Sequence, residues 1–226
     1  MIYIRSLIFN IFYITWTFFI AALLSPLLIN VRSAMMVGII WAKVIEIGLR
    51  VICGIKHKII NKENAIRENV IYACKHESAW ETIMFFLLAH KPAYVLKREL
   101  VRIPVFGWYF IGMKMIFIDR KAGVSALKKL IKESKEALIN NRQIVIFPEG
   151  TRIKHGEKGK IQVGTYVLYK ETGAKVVPVA LNSGKFWGKN SFLKFPGTIT
   201  VKFHDPLPEG LSREEFELLL NEKINL

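Results

Sequence analysis

Two short clusters in this sequence bring reactive side-chain types close together. One is Lys75-His76-Glu77-Ser78-Ala79-Trp80-Glu81, the other Phe147-Pro148-Glu149-Gly150-Thr151-Arg152. His76 and Glu81 lie five residues apart. A carboxylate at that spacing can hold the proton on one imidazole nitrogen and leave the other free to take a proton, which is a general-base arrangement. The spacing alone is a weak signal, because His204 and Glu209 share it. There Pro206 and Pro208 preclude a helix that would orient the pair, so that segment reads as a structural loop. Glu81 also has a structural reading: Ser78 and Glu81 fit a helix capping box, in which the carboxylate returns to the amide of the cap. In the second cluster Gly150 allows a sharp turn with positive φ.

Other reactive groups read as structural. Cys74 sits two residues before His76, but a cysteine inside an apolar strand is usually inert packing. Ser78 serves better as a cap than as a nucleophile; the segment Gly123-Val124-Ser125-Ala126-Leu127 lacks the second glycine of a nucleophile elbow. His57, His90 and His155 have no acid at the right spacing and read as surface or core residues. Arg102, Lys121 and Lys154 read as solvated or lipid-facing. Phe106, Trp108, Tyr109 and Phe110 form an aromatic patch suited to core, acyl-chain lining or membrane contact.

The elements that must position these clusters alternate. Apolar runs at 70–74, 93–96, 115–118, 143–147, 176–181 and 198–203 read as strands. Helical patterns at 79–89, 124–140, 162–171 and 214–224 lie between or after them, with Gly173 closing the third. Alternation of this kind implies an α/β fold: a mixed, mostly parallel sheet flanked by helices. Both polar clusters then fall just past the carboxyl ends of strands, where open α/β sheets bind ligands.

The N-terminal quarter differs. No charge occurs from residue 7 to residue 29, a stretch long enough to span a bilayer and longer than a signal-peptide core. Pro26 is placed to end or bend it. Residues 33–55 are apolar apart from Lys43, Glu46 and Arg50, whose spacing puts them on one helical stripe, as in a helix lying in the membrane interface. A core helix is the alternative. The division expected is a membrane-associated helical hairpin over residues 1–55, followed by a globular domain over 56–226. The chain of 226 residues carries 33 Lys and Arg against 18 Asp and Glu, a net charge of +15, with 52% hydrophobic residues. Disorder is excluded. With only two cysteines a disulfide scaffold is excluded as well. The basic residues are dispersed, with no nucleic-acid-binding motif, so anionic membrane lipid is the expected partner and the cytoplasmic side the expected location.

Joined in this order, the His-x4-acid cluster and the Phe-Pro-Glu-Gly-Thr-Arg cluster resemble the glycerolipid acyltransferase family, and within it the bacterial 1-acylglycerol-3-phosphate acyltransferases. Lys97 with Ile103-Pro104 and Gly107, then Phe117-Ile118-Asp119-Arg120, then Val177-Pro178-Val179-Ala180 extend the resemblance over residues 70–205. One departure is Glu81, where the family usually has Asp. The resemblance implies transfer of an acyl group from acyl-CoA or acyl carrier protein to the sn-2 hydroxyl of lysophosphatidate, giving phosphatidate, at an inner membrane with the active site on the cytoplasmic side. It implies His76 and Glu81 as the catalytic pair. Lys97, Arg120, Glu149, Gly150, Thr151 and Arg152 become substrate-binding residues, and no metal or organic cofactor is required. Glycerol 3-phosphate or another lysolipid as acceptor, and an idle lipid-binding protein on the same fold, are the competing expectations.

Overall fold

The computed structural model describes residues 1–28, 30–66, 68–104 and 106–225. Seven strands form one sheet in the order β1-β7-β6-β2-β5-β3-β4. In chain order they are β1 (Ile55–Ile60), β2 (Val70–Cys74), β3 (Pro92–Lys97), β4 (Ile116–Ile118), β5 (Gln143–Ile146), β6 (Lys175–Leu181) and β7 (Gly197–Phe203). Among the described residues only the β6–β7 pair is antiparallel; the others run parallel. The mixed, mostly parallel sheet expected from the alternation is therefore present. Strands β2 and β5 are buried along their whole length, which is why they lack polar alternation.

Seven α-helices accompany the strands among the described residues: α1 (Ile2–Leu23), α2 (Val31–Gly48), α3 (Trp80–Leu88), α4 (Phe106–Gly112), α5 (Val124–Ile139), α6 (Val163–Thr172) and α7 (Arg213–Ile224). Helix α1 ends at Leu23, and Pro26 lies in the single 3-10 turn that follows. Asn30 caps α2, its side chain accepting from the Ser33 amide at 3.0 Å. The capping box on α7 is complete, Ser212 to Glu215 in both directions.

Two expectations need correcting. The apolar run 33–55 is not one helix: α2 stops at Gly48, a π turn spans Leu49–Cys53, and Gly54 at φ +69° turns the chain into β1. The Lys43–Glu46–Arg50 stripe is only its outer edge, because Ala34, Val37, Ala42 and Ile45 are buried in the same apolar cluster as Trp80 and Phe85 of α3. The stretch 7–29 ends at Ile29, outside the described residues; its helix begins five residues earlier than residue 7. Two elements escaped the sequence reading, strand β1 and helix α4.

Helix α1 buries Ser6 and Thr17 together with Phe9, Ile20 and Ala21, while Ile4, Leu7, Ile8, Ile11, Ile14, Phe18, Phe19 and Leu23 are exposed. It is the one helix, among the described residues, long and apolar enough to cross a membrane. Polar contacts fix it to the loop before β7. The Lys194 amide donates to Ser6 Oγ at 2.9 Å, Lys194 Nζ to Asn10 Oδ1 at 2.5 Å, and Asn10 Nδ2 to the Phe192 carbonyl at 3.1 Å. The Lys194 ammonium also lies 4.9 Å from the Trp187 ring. Burial lowers its pKa to about 8.

Candidate active site

Three adjacent strands, β6, β2 and β5, deliver the site from their carboxyl ends. His76 follows β2 by two residues, and its Nδ1 lies 2.8 Å from Glu81 Oε1. Glu81 is fully buried at the first turn of α3. Its Oε1 also accepts from the Glu77 and Ser78 amides at 2.7 and 2.6 Å, and its Oε2 accepts from Ser183 Oγ at 2.7 Å. The carboxylate thus returns to the Ser78 amide, one half of the capping box, and meets the imidazole as well, while α3 itself starts from Ala79 without a side-chain cap. Ser78 Oγ accepts from the Trp80 amide rather than facing the ring. Four hydrogen bonds on one buried carboxylate fix its position, and the extra methylene of Glu over Asp is accommodated by that anchoring. With Nδ1 engaged, Nε2 is the nitrogen left to work. The ring stacks on Phe147, with centroids 4.1 Å apart and planes at 19°.

The second cluster lies alongside. The Ile153 amide donates to the His76 carbonyl at 2.7 Å, knitting the two loops together. Gly150 adopts φ +68°, and a β-carbon there would lie 2.8 Å from Arg120 Nη1. Arg120 donates from that nitrogen to the Gly150 carbonyl at 2.6 Å. Asp119 instead pairs with Arg98 and caps the Lys121 amide. His76, Lys97, Arg120, Gly150, Thr151 and Arg152 all line one chamber of about 520 Å³ whose charged residues are basic.

Glu149 does not face that chamber. Its Oε1 accepts from Lys75 Nζ at 2.6 Å and its Oε2 from the His76 amide at 3.0 Å. With both oxygens occupied in a side chain that is 0% exposed, it is turned away from the substrate-binding place the resemblance implies for it. His155 is not isolated either: its Nδ1 lies 3.2 Å from Glu77 Oε1, while Glu77 Oε2 accepts from the Gly184 amide. Burial raises the Glu77 pKa against the opposing pull of those two partners. Burial, reinforced by Glu81, Glu149 and Glu77, pushes the Cys74 thiol well above its ordinary range, which removes it as a nucleophile.

An apolar cavity of about 320 Å³ opens beside the chamber, walled by α1, α2, α3 and α4. Thr82, Leu96, Leu100 and Arg152 line both spaces. Among the described residues, Arg152 is the only charged one on the apolar side, so the junction couples a cation to a hydrocarbon-sized slot. The aromatic patch divides there: Phe106, Tyr109 and Phe110 line the cavity, while Trp108 is 62% exposed. Ser183, Lys75 and the cavity itself escaped the sequence reading. Ser183 is a lone hydroxyl in a turn, and nothing in its neighbours announces a partner 102 residues away.

Comparison with known proteins agrees with this geometry. The family model described as "Acyltransferase" matches residues 56–182, which run from β1 through β6. A 1-acyl-sn-glycerol-3-phosphate acyltransferase of Pseudomonas aeruginosa is 40% identical over 67% of this chain and 59% of its own length. One from Borreliella burgdorferi is 31% identical over 74% of this chain and 67% of its own. The chain thus spans well under the full length of the Pseudomonas relative. A solved 1-acyl-sn-glycerophosphate acyltransferase of Thermotoga maritima superposes with a TM-score of 0.77 over 99% of this chain and 95% of that one, at 23% identity, so the fold is shared. By the extent of the family match, this chain belongs to the acyltransferase family.

Proposed function

We propose that the protein transfers a fatty acyl group from a thioester to the sn-2 hydroxyl of lysophosphatidate, giving phosphatidate. The observation that carries this reading is the placement of the His76–Glu81 pair in a basic chamber that opens into an apolar cavity through Arg152. The chamber suits an anionic headgroup, and the cavity suits an acyl chain. His76 Nε2 removes the proton of the acceptor hydroxyl as its oxygen attacks the thioester carbonyl. Glu81 holds the Nδ1 proton and stabilises the imidazolium that forms. Collapse of the tetrahedral intermediate breaks the C–S bond, and the proton on Nε2 passes to the departing sulfur. The relatives' printed activity, and an acceptor that needs both a phosphate site and a base, support lysophosphatidate.

Arg152 and Arg120 bind the acceptor phosphate, with Lys97 at the chamber's outer edge; Gly150 and Thr151 shape the floor. The donor is acyl-CoA or acyl carrier protein, and no metal or organic cofactor takes part. Residues 1–55 form the anchor, with α1 turning its apolar face to lipid, and residues 56–226 form the catalytic unit. The excess of basic residues supports a cytoplasmic face of the inner membrane. The test is thiol release from acyl-CoA in detergent-lipid micelles. Release that requires lysophosphatidate is expected. Release with water alone would make the protein a hydrolase, and release with glycerol 3-phosphate but not lysophosphatidate would reassign the acceptor.

A further inference from the structure

Glu149 belongs to a motif whose other polar members face the chamber, yet it is turned away and spent on Lys75 and the His76 amide. Lys75 is itself 1% exposed. An ammonium carries three N–H donors, and here all three have acceptors: Glu149 Oε1 at 2.6 Å, the Glu157 carbonyl at 2.8 Å and Asn225 Oδ1 at 2.8 Å. Those acceptors come from the β5 loop, from the loop leading to α6, and from the residue that follows α7. Helix α7 grips the middle loop a second time, since Asn221 Nδ2 donates to the Gly159 carbonyl at 3.3 Å and Asn225 Nδ2 donates to Asn221 Oδ1 at 2.9 Å. Gly159 packs so closely that a β-carbon there would lie 2.8 Å from Glu149 Oε1.

We infer that Lys75 and Asn225 are positioning residues: together they clasp Glu149 so that its second oxygen fixes the main chain of His76, and Glu149 serves the base rather than the acceptor. A buried carboxylate deprived of its cation takes up a proton or turns toward water. Either outcome loosens the His76 amide, and with it the aim of Nε2. The C-terminal helix is thereby part of the catalytic apparatus without touching substrate. The turnover arm of this inference rests on the acyltransferase reading; the structural arm does not.

The test uses the full chain in micelles. Lys75→Met is expected to lower kcat on the order of 10²-fold, the scale of a base misplaced by about an ångström, with the KM for each substrate within about twofold of the parent. Asn225→Leu, remote and milder, is expected to lower kcat roughly threefold, in keeping with one charge-assisted hydrogen bond felt through two links. Asn225→Asp keeps the oxygen that Lys75 needs while giving up both donations to Asn221, and is expected to retain more turnover than Asn225→Leu. A rise in acceptor KM with kcat unchanged in Lys75→Met or Asn225→Leu would overturn the inference by returning Glu149 to the substrate site. Asn225→Asp falling as far as Asn225→Leu would also overturn it, by making the role one of packing. Should Lys75→Met fail to fold, the Asn225 pair decides alone. Should the parent show no acyl transfer at all, the functional reading fails by itself, and hydrogen exchange at the His76 amide still decides the clasp: faster in Asn225→Leu than in Asn225→Asp upholds it, and equal rates refute it.

Discussion

The two faces of the sheet bury apolar cores of unequal size, the larger beneath α1 to α4, and present opposite exteriors. On one face α1 to α4 pack over Tyr72, Tyr94, Val145 and Val201. Their outer surface stays apolar, with Ile11, Ile14 and Phe18 of α1, Ile39 and Ile47 of α2, and Trp108 and Ile111 of α4 exposed. On the other face α5, α6 and α7 pack over Ile71, Ala93, Ile144 and Val176. There α5 buries Ala126, Leu130, Ser134 and Ala137 and turns Lys128, Lys129, Lys132 and Lys135 outward, the ordinary pattern of a helix in water. Patches as continuous as the first mark a surface that something apolar covers. The His76–Glu81 pair stands where the strands end, at the seam between the apolar-surfaced and lysine-covered halves. On the proposed reading, joining a greasy chain to a charged headgroup needs a base there.

Breaking the seam itself has the largest expected effect. His76→Ala should lower turnover 10²- to 10⁴-fold, the usual worth of a general base, with circular dichroism and vesicle attachment unchanged; turnover within tenfold of the parent would remove the base. Next, charges placed on the lipid side should expel it from the bilayer. Ile11→Lys with Ile14→Lys is expected to weaken co-sedimentation with vesicles by on the order of 10²-fold. The matched water-side change, Lys128→Gln with Lys132→Gln, should alter it severalfold at most. Equal losses would abolish the distinction between the faces. A smaller effect is expected inside the apolar cavity. A β-carbon on Gly38 would lie 2.8 Å from both Met113 Cε and Phe86 Cε1, so Gly38→Ala should push those side chains into the slot and shift donor preference toward shorter chains. An unchanged chain-length profile would place the acyl group elsewhere.

The smallest effect belongs to the solvated half. Burial, helped by Lys202 and Lys223, lowers the His204 pKa, with Asp205 opposing. The unfolded chain therefore binds the proton more readily, and stability should fall as pH drops below about 6.5, the ordinary value for histidine. Urea titrations of the parent in micelles should show that loss between pH 7.5 and pH 5, and His204→Gln should reduce it. An identical loss in the variant would assign the effect to other groups.

Much of this arrangement was legible because it is local. The His76–Glu81 spacing spans a single strand-to-helix turn, and the strand runs are apolar for want of any exposed side. Gly150 and Gly173 carry their positive φ in their lack of a side chain. What stayed hidden depends on long-range meetings. Ser183 reaches Glu81, and Asn225 reaches Lys75, only once the sheet has formed. The direction in which Glu149 points follows from a lysine 74 residues earlier. Strand β1 was missed for a different reason: Ile55, His57 and Ile59 alternate with Lys56, Lys58 and Ile60, a usable period-two signal obscured by the apolar helix just before it. The side of α1 that meets the protein was invisible because a uniformly apolar stretch does not announce which of its faces is buried.

Those few polar atoms on α1 do more than dock it. Ser6 and Asn10 engage Lys194 near the beginning of a helix about 33 Å long, so α1 cannot slide along its own axis relative to the sheet. If one residue were inserted between Asn10 and Tyr13, everything beyond would rotate by about 100° and swing the greasy side into the protein. Residues added ahead of Ser6 would leave the remainder undisturbed. On the proposed reading, the depth at which the imidazole meets a membrane-dissolved substrate is thus set as an immersion gauge is set, by a notch cut at one mark on the stem.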